Sequence, residues 1–116
     1  MGTVTIFHNP RCSKSRSSLA ILNEQGLEPE IRLYLENPPS AEELTSILAM
    51  LDMSARDLLR KGESDYKALN LANPDVSETE IIKAMTEYPK LIERPIVIKD
   101  DKAVIGRPPE LILELI

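Results

Sequence analysis

Residues 4–35, VTIFHNPRCSKSRSSLAILNEQGLEPEIRLYL, contain the pattern that decides the fold. The β-rich run at residues 4–7 predicts a strand that ends at a turn-forming Asn-Pro pair. A helix is predicted over residues 13–25, and Gly26 follows where a left-handed glycine commonly ends a helix. Residues 30–35 predict a second strand. Because strand–helix–strand units cross over with a right hand, the two strands are expected to be parallel.

Apolar periodicity predicts which side chains of this unit are buried. Ile31, Leu33 and Leu35 alternate along the second strand, so one apolar face is expected to point into the core. On the preceding helix, Leu19 and Leu22 are expected to lie on the buried side.

The middle of the chain is predicted to be helical. Ser40 with Glu43 and Ser77 with Glu80 form capping boxes, which mark helix starts. The first of these helices has an amphipathic stripe made of Leu44, Ile47, Leu48 and Leu51. The other predicted segments are a short helix from Ser54 through Arg60, a weaker one near residues 66–71, and a helix after Ser77 whose buried face holds Ile81, Met85 and Tyr88.

The C-terminal part returns to strand periodicity. Two β-rich runs, residues 96–98 and 103–105, flank the acidic turn Asp100-Asp101 and predict a β-hairpin. A last short helix is expected near residues 111–116. The order βαβ, helical insertion, ββα predicts an α/β fold with a mixed sheet.

Composition and charge narrow the class of protein. The 116 residues can form one hydrophobic core and are expected to make a single domain, residues 1–116. One cysteine cannot form an internal disulfide, so a reducing cytoplasm is the expected location. The net charge of −5 argues against a general nucleic-acid binder. No stretch approaches the ~20 apolar residues of a membrane span, and no metal site is predicted.

This acidic chain nevertheless gathers positive charge around its single cysteine, Cys12. Arg11, Lys14 and Arg16 surround it, and no acidic residue precedes Glu24. Cys12 lies between a strand end and a helix start, where unpaired N–H groups and the helix dipole favour an anion. The three cations, with His8 as a further candidate, are expected to lower the thiol pKa. Cys12 is therefore a candidate nucleophile.

Spacing argues against two related thiol chemistries. A tyrosine-phosphatase loop needs an arginine six positions after the cysteine, and Ser18 stands there. A dithiol redox site needs a second cysteine three positions on, where Ser15 stands; its hydroxyl is a candidate hydrogen-bond donor. An adduct on Cys12 is therefore expected to be resolved from outside, by a small thiol or by another protein.

Two Arg-Pro pairs frame the predicted hairpin. Because a hairpin returns its ends to one end of the sheet, Arg94 and Arg107 are expected to be neighbours, and arginine is suited to bidentate oxyanion binding. The Arg94–Pro95 bond is a candidate cis peptide. Arg32 and Arg56 are expected to be solvated surface residues.

Five blocks of the chain resemble one known family. In order they are HNPRCSKSR, YLENPPS, LLRKGE, ERPIVI and IGRPPE, and together they span most of the chain. They are similar to the glutaredoxin-coupled arsenate reductases. The resemblance implies a thioredoxin-like fold with a helical insertion, which agrees with the element order predicted from the residues.

The resemblance also implies roles for particular residues. Cys12 matches the family nucleophile, and the oxyanion-binding arginines are matched by Arg60, Arg94 and Arg107. His8 matches a histidine implicated in lowering the cysteine pKa, and Pro95 matches the cis-proline that faces it. Ser15 and Arg16 match residues of the helix start. The sequence departs from better-studied members in having Arg11 and Lys14 beside the cysteine.

The function implied is the reduction of arsenate to arsenite, in arsenic detoxification. Arsenate attached to Cys12 would be attacked by glutathione as co-substrate, and glutaredoxin would reduce the adduct. No bound cofactor, nucleic acid or membrane is implied, and a cytoplasmic monomer is expected.

Two alternatives come from different classes. One is a monothiol, glutathione-dependent thiol reductase, which shares the Cys-x-x-Ser spacing but usually has Gly-Phe between those residues. The other is a non-enzymatic transcription regulator of the Spx type, which binds the RNA polymerase α subunit. Regulators of that type typically keep a Cys-x-x-Cys switch, and Ser15 removes it here.

Overall fold

The computed structural model describes residues 3–116. Its internal contacts divide the chain into two compact units. The first, here called the sheet unit, comprises the N-terminal part up to Asn37 together with Arg94–Ile116. The second, the helical unit, is Pro38–Glu93. The expectation of a single domain over residues 1–116 stays a prediction.

The sheet unit contains a four-stranded mixed sheet with strand order β2-β1-β3-β4. β1 pairs with β2 in parallel, and β3 pairs antiparallel with both β1 and β4. These pairings confirm the predicted βαβ unit and hairpin. The elements are β1 (Val4–Phe7), α1 (Ser13–Glu24), β2 (Glu30–Arg32), β3 (Ile96–Lys99), β4 (Lys102–Ile105) and a C-terminal 3₁₀ helix (Pro109–Glu114).

Apolar side chains from the central strands and from both helices form the core of this unit. Its buried members are Val4, Ile6, Leu22, Val97 and Ile112. Period two along β1 and β3 and helical spacing along α1 aim these side chains at one another. Leu19 and Ile21 of α1 are partly buried against the same cluster. This packing holds the start of α1 at the carboxyl end of β1.

The second strand differs from its prediction. β2 ends at Arg32, and the chain then turns, with the N–H groups of Glu36 and Asn37 both donating to the Leu33 carbonyl. Ile31 and Leu33 are 48% and 38% exposed, so the expected buried face was wrong. The buried residue is Tyr34, whose ring stacks on Phe7 at 6.3 Å between centroids. β2 is a short strand at the edge of the sheet and pairs only with β1. The turn after it changes the direction of the following side chains, so Tyr34 is buried and Leu33 is not.

The helical unit is built from short helices, three of which begin at side-chain caps. The capping boxes of Ser40 with Glu43 and of Ser77 with Glu80 are both present, as predicted. Ser54 caps the short third helix, which ends at Leu58 rather than Arg60. The elements are α2 (Ala41–Leu51), α3 (Ala55–Leu58), α4 (Ser64–Ala68), α5 (Glu78–Glu87) and a 3₁₀ helix (Pro89–Leu91).

The predicted apolar stripes of the helical unit are largely buried. Leu44, Ile47 and Leu48 of α2 are buried, and so are Ile81 and Met85 of α5. Tyr88 was expected on the same face of α5 but is 39% exposed. The reason is that α5 ends at Glu87, and the non-helical backbone of Tyr88 carries its side chain off the helix face. Within residues 3–116, no helix combines the length and the apolar character that a membrane crossing requires.

Candidate active site

Cys12 is the residue immediately before the first turn of α1. β1 ends at Phe7, and a tight loop follows in which the Cys12 N–H donates to the Asn9 carbonyl at 3.0 Å. The backbone of Cys12 is extended, and its carbonyl accepts the first helical hydrogen bond, from Arg16 at 3.0 Å. The side chain is buried. The thiol therefore stands at the end of the helix where N–H groups are unpaired.

Opposing effects act on the Cys12 thiol, and the net result is a lowered pKa. Burial is the largest single effect and raises the pKa. It is outweighed by the Ser15 N–H, the charge of Arg94, the Lys14 N–H and a hydrogen bond from the Arg94 side chain. Sγ makes no capping hydrogen bond of ordinary geometry, so the N–H groups stabilise the thiolate mainly as nearby dipoles. A thiolate is the nucleophilic form of cysteine.

Ser15 ties the first turn of α1 to the end of β1. Its hydroxyl accepts a hydrogen bond from the Asn9 N–H at 2.9 Å and bonds to Nδ1 of His8 at 2.7 Å. Ser15 and His8 are both buried. Ser15 is therefore hydrogen-bonded to the loop after β1, while its backbone N–H faces the thiolate.

His8 does not supply the positive charge that was expected of it. Burial, reinforced by the charge of Arg16, lowers the pKa of His8 below its ordinary value of 6.5. The ring is therefore neutral near pH 7, and its contact with Ser15 is a hydrogen bond rather than a charge effect. The contact of His8 in this site is therefore with Ser15, at 2.7 Å between Nδ1 and the hydroxyl oxygen.

The cations next to Cys12 in the sequence also act differently from the expectation. Among side-chain charges, Arg94 is the one that lowers the Cys12 pKa. Arg16 instead donates to the Pro10 carbonyl at 2.8 Å and braces the loop. Arg11 is exposed, and Lys14 contributes through its backbone N–H. Side chains that leave a helix start in different directions do not converge on one atom, even when they are close in sequence.

Arg94 and Arg107 are neighbours, as the hairpin predicted. A terminal nitrogen of Arg107 donates to the Arg94 carbonyl at 3.3 Å. Both arginines precede cis-prolines: the Arg94–Pro95 bond is cis, as anticipated, and so is Arg107–Pro108, which was not anticipated. Within the sheet unit, Arg94 therefore lies beside both Cys12 and Arg107.

A close contact behind this group was not predicted from the sequence. Gly106, directly before Arg107, lies so close to α1 that an added Cβ would overlap the hydroxyl of Ser18. The same Cβ would be 3.0 Å from Cγ of Pro95, and the Gly106 N–H donates to the Pro95 carbonyl at 2.9 Å. The sequence signal is a glycine between a strand end and an arginine that is predicted to bind an oxyanion. Only the fold shows that Ser18 is its neighbour.

Arg60 belongs to the helical unit and has its own contacts there. One guanidinium nitrogen lies 2.8 Å from a carboxylate oxygen of Glu63, and the same nitrogen donates to the Lys90 carbonyl at 3.3 Å. Its backbone N–H donates to the Leu91 carbonyl at 2.8 Å. Arg60 is therefore a half-buried cation whose guanidinium and backbone are both hydrogen-bonded within the helical unit. Its assignment to the oxyanion site stays a prediction.

The two arginines expected to be solvated are both engaged. Arg32 donates to the Asn37 carbonyl at 2.8 Å and lies over the Phe7 ring at 5.4 Å. Arg56 is half-buried and donates to three backbone carbonyls, those of Leu71, Asn73 and Val76. The expectation of a solvated side chain was wrong for Arg56, whose three hydrogen bonds are partly buried, whereas the hydrogen bond of Arg32 lies on the exposed surface. In the described residues 3–116, no group of three or more His, Cys, Asp or Glu side chains is arranged to hold a metal ion.

Comparison with known proteins agrees with this architecture. The fold is thioredoxin-like, with a cysteine at the start of the first helix. The model of the ArsC family matches residues 7–115, and the chain belongs to that family.

Relatives match over almost the full length. An uncharacterised Escherichia coli K12 protein, YfgD, is 55% identical, covering 97% of this chain and 96% of its own. A Haemophilus influenzae protein named arsenate reductase is 50% identical, covering 98% and 99%. The solved structure of arsenate reductase from Vibrio cholerae is 46% identical with a TM-score of 0.97, covering 99% and 98%.

Proposed function

We propose that the protein reduces arsenate to arsenite, with Cys12 as the nucleophile and glutathione and glutaredoxin as the source of electrons. The observation that carries the proposal is the lowered pKa of Cys12 beside the start of α1 and the Arg94 guanidinium. A guanidinium can bind the oxygens of an oxyanion while the adjacent thiolate reaches the central atom. Membership of the ArsC family and relatives named arsenate reductase support the same reaction.

In the first step, the Cys12 thiolate attacks the arsenic of arsenate. An As–S bond forms and an As–O bond breaks, and the leaving oxygen takes up protons and departs as water. Arg94 and Arg107 bind the remaining oxygens and offset their charge. Ser15, held by His8 and Asn9, keeps the first turn of α1 under the thiolate.

The electrons come from outside thiols, since the chain has one cysteine. Glutathione adds to the arsenic on Cys12, and a second oxygen leaves as water. A glutaredoxin thiolate then attacks the glutathione sulfur, which forms a disulfide and leaves an electron pair on arsenic. Hydrolysis of the remaining As–S bond releases arsenite and restores the thiol of Cys12.

Arg60 is proposed as the third oxyanion ligand because it matches a family arginine. Its guanidinium is paired with Glu63, so substrate must compete with that carboxylate for it. We expect Arg60→Ala to raise the KM for arsenate more than it lowers kcat, since a ligand that binds the ground state and the transition state equally affects mainly KM.

The deciding experiment is a coupled assay of arsenate-dependent NADPH oxidation with glutathione, glutaredoxin and glutathione reductase. Cys12→Ser is expected to lower kcat/KM by at least about a thousandfold, because it removes the nucleophile. Ser17→Ala, at an exposed position on α1, is the matched control and is expected to keep the wild-type rate.

Two results would count against the proposal. Wild-type protein without arsenate-dependent turnover, or a Cys12→Ser variant that keeps its rate, rejects arsenate reduction by this thiol. If turnover is equally fast with thioredoxin in place of glutathione and glutaredoxin, the proposal that glutathione and glutaredoxin supply the electrons is wrong. The expected cytoplasmic monomer is a separate proposal, and sedimentation of the purified chain tests its oligomeric part.

A further inference from the structure

A cleft lies beside the Cys12 loop at the carboxyl ends of the two parallel strands. One wall is the loop after β1, including His8 and Arg11, and the other is the turn after β2, including Leu33, Leu35 and Glu36. Its volume is about 330 Å³, within the range of small-molecule sites. Open α/β sheets place ligands outside the carboxyl ends of their parallel strands.

The lining of this cleft has a definite chemistry. Arg11 and Glu36 place one positive and one negative side chain on opposite walls. Leu33 and Leu35 add apolar surface, and Leu33 is 38% exposed although it directly follows a strand of the sheet. His8, only 7% exposed, contributes a ring already fixed by its bond to Ser15. A ligand that fits has a carboxylate and an ammonium group at one end, followed by a short methylene segment that can lie against the leucines.

The position of the cleft adds a constraint from the reaction. Arg11 is the residue directly before Cys12, and the Arg11 N–H is fixed by the Asn9 side chain at 3.0 Å. A molecule held against Arg11 therefore lies beside the peptide that carries the nucleophile. The protein has no second thiol of its own, so a molecule bound there that carries a thiol is placed to react with an adduct on Cys12.

We infer that this cleft binds the thiol co-substrate, glutathione, with the carboxylate of its γ-glutamyl end at Arg11 and the ammonium group at Glu36. The inference rests on the proposed function for its reaction but not for its binding test. It assigns a role to Arg11, whereas the side-chain charge that lowers the pKa of Cys12 is that of Arg94.

The test measures glutathione binding to the Cys12→Ser protein, without arsenate or turnover. Titration calorimetry gives Kd, and backbone amide shifts in two-dimensional NMR locate the ligand. Arg11→Glu and Glu36→Lys are each expected to raise Kd about fivefold or more, since each replaces an attraction with a repulsion. Lys102→Glu, at an exposed position of the hairpin, makes the same change in net charge as Arg11→Glu and is expected to leave Kd unchanged.

The shifts are expected at residues 9–11 and 33–36, and mercaptoethanol, which has no amino-acid end, is expected not to reproduce them. Equal Kd values for the cleft variants and Lys102→Glu, shifts elsewhere, or no binding overturn the inference. Failure of arsenate turnover with intact glutathione binding rejects the proposed function instead. Turnover whose KM for glutathione is unchanged by Arg11→Glu rejects the cleft and keeps the function.

Discussion

The sheet unit and the helical unit differ in charge and in the range of their polar contacts. The sheet unit contains eight acidic and eight basic residues, whereas the helical unit contains eleven and six and so carries the whole net charge of −5. Caps in the helical unit join residues three apart, such as Ser40 and Glu43. In the sheet unit, Arg94 acts on Cys12 across most of the sequence. Local interactions thus define the helices, and long-range contacts define the candidate site.

The arginines show the same contrast. Arg56 and Arg60 of the helical unit donate to carbonyls of that unit and help to hold its loops together. Arg94 of the sheet unit lowers the pKa of a thiol. The sequence does not distinguish an arginine that binds backbone carbonyls from an arginine that lowers the pKa of a thiol. Substitutions in the two units can distinguish residues that stabilise the fold from residues that act on the thiol. Among these substitutions, Gly106→Ala is expected to have the largest effect on the free energy of unfolding.

Gly106→Ala is expected to cost about 3 kcal/mol in the free energy of unfolding, because the new methyl group overlaps Ser18 and crowds Pro95. Gly62→Ala is the matched control in the helical unit, where an added Cβ meets nothing within 4 Å, and it is expected to be nearly neutral. Urea unfolding measures both. Ser18→Gly combined with Gly106→Ala should recover part of the loss; an equal loss in both glycine variants would contradict the close contact.

Arg56→Ala is expected to lower the free energy of unfolding by about 2 kcal/mol, because three carbonyls lose a charged donor. Lys61→Ala, an exposed cation of the same unit, is the control and is expected to change stability by less than about 0.5 kcal/mol. Thermal unfolding followed by circular dichroism compares the two. If Arg56→Ala is as stable as the wild type, the hydrogen bonds of Arg56 do not contribute to stability, and the interpretation of Arg56 as a structural residue is wrong.

Arg94→Ala is expected to raise the pKa of Cys12, since it removes both a nearby charge and a hydrogen bond. Arg16→Ala and Arg11→Ala are expected to change that pKa less than Arg94→Ala does, because Arg94 is the side chain whose charge and hydrogen bond lower it. Arg94→Lys should restore part of the effect by restoring the charge. The pH dependence of alkylation by iodoacetamide measures each value, and an equal rise in Arg11→Ala would favour the cations nearest in sequence.

His8 is expected to give the smallest effect, a pH dependence of stability. Its pKa is lower in the folded chain than in the unfolded one, so the unfolded chain binds the proton more tightly. The contribution is therefore fully present above about pH 6.5 and is lost as the pH falls from there toward the folded pKa. The free energy of unfolding of His8→Gln, measured from pH 7 to pH 5, should therefore change less with pH than that of the wild type. An unchanged slope would mean that another group titrates.

Much of the fold could be predicted because its signals are local. Capping boxes at Ser40 and Ser77, the hairpin around Asp100 and the βαβ unit depend on residues a few positions apart. The buried face of β2 was mispredicted because period two holds only while a strand continues, and this strand ends at Arg32. Beyond that end, the direction of the side chains depends on the contact between Tyr34 and Phe7, which the strand pattern does not contain.

For the candidate site, the sequence alone determined that a single cysteine stands between a strand and a helix, with two Arg-Pro pairs downstream. Only the tertiary structure decided that Arg94 acts on the thiol, that His8 is neutral, and that Gly106 lies against Ser18. The physical reason is distance: electrostatic and steric effects depend on separation in space. Side chains at neighbouring positions in the sequence, such as Arg11 and Cys12, can point in different directions from the backbone.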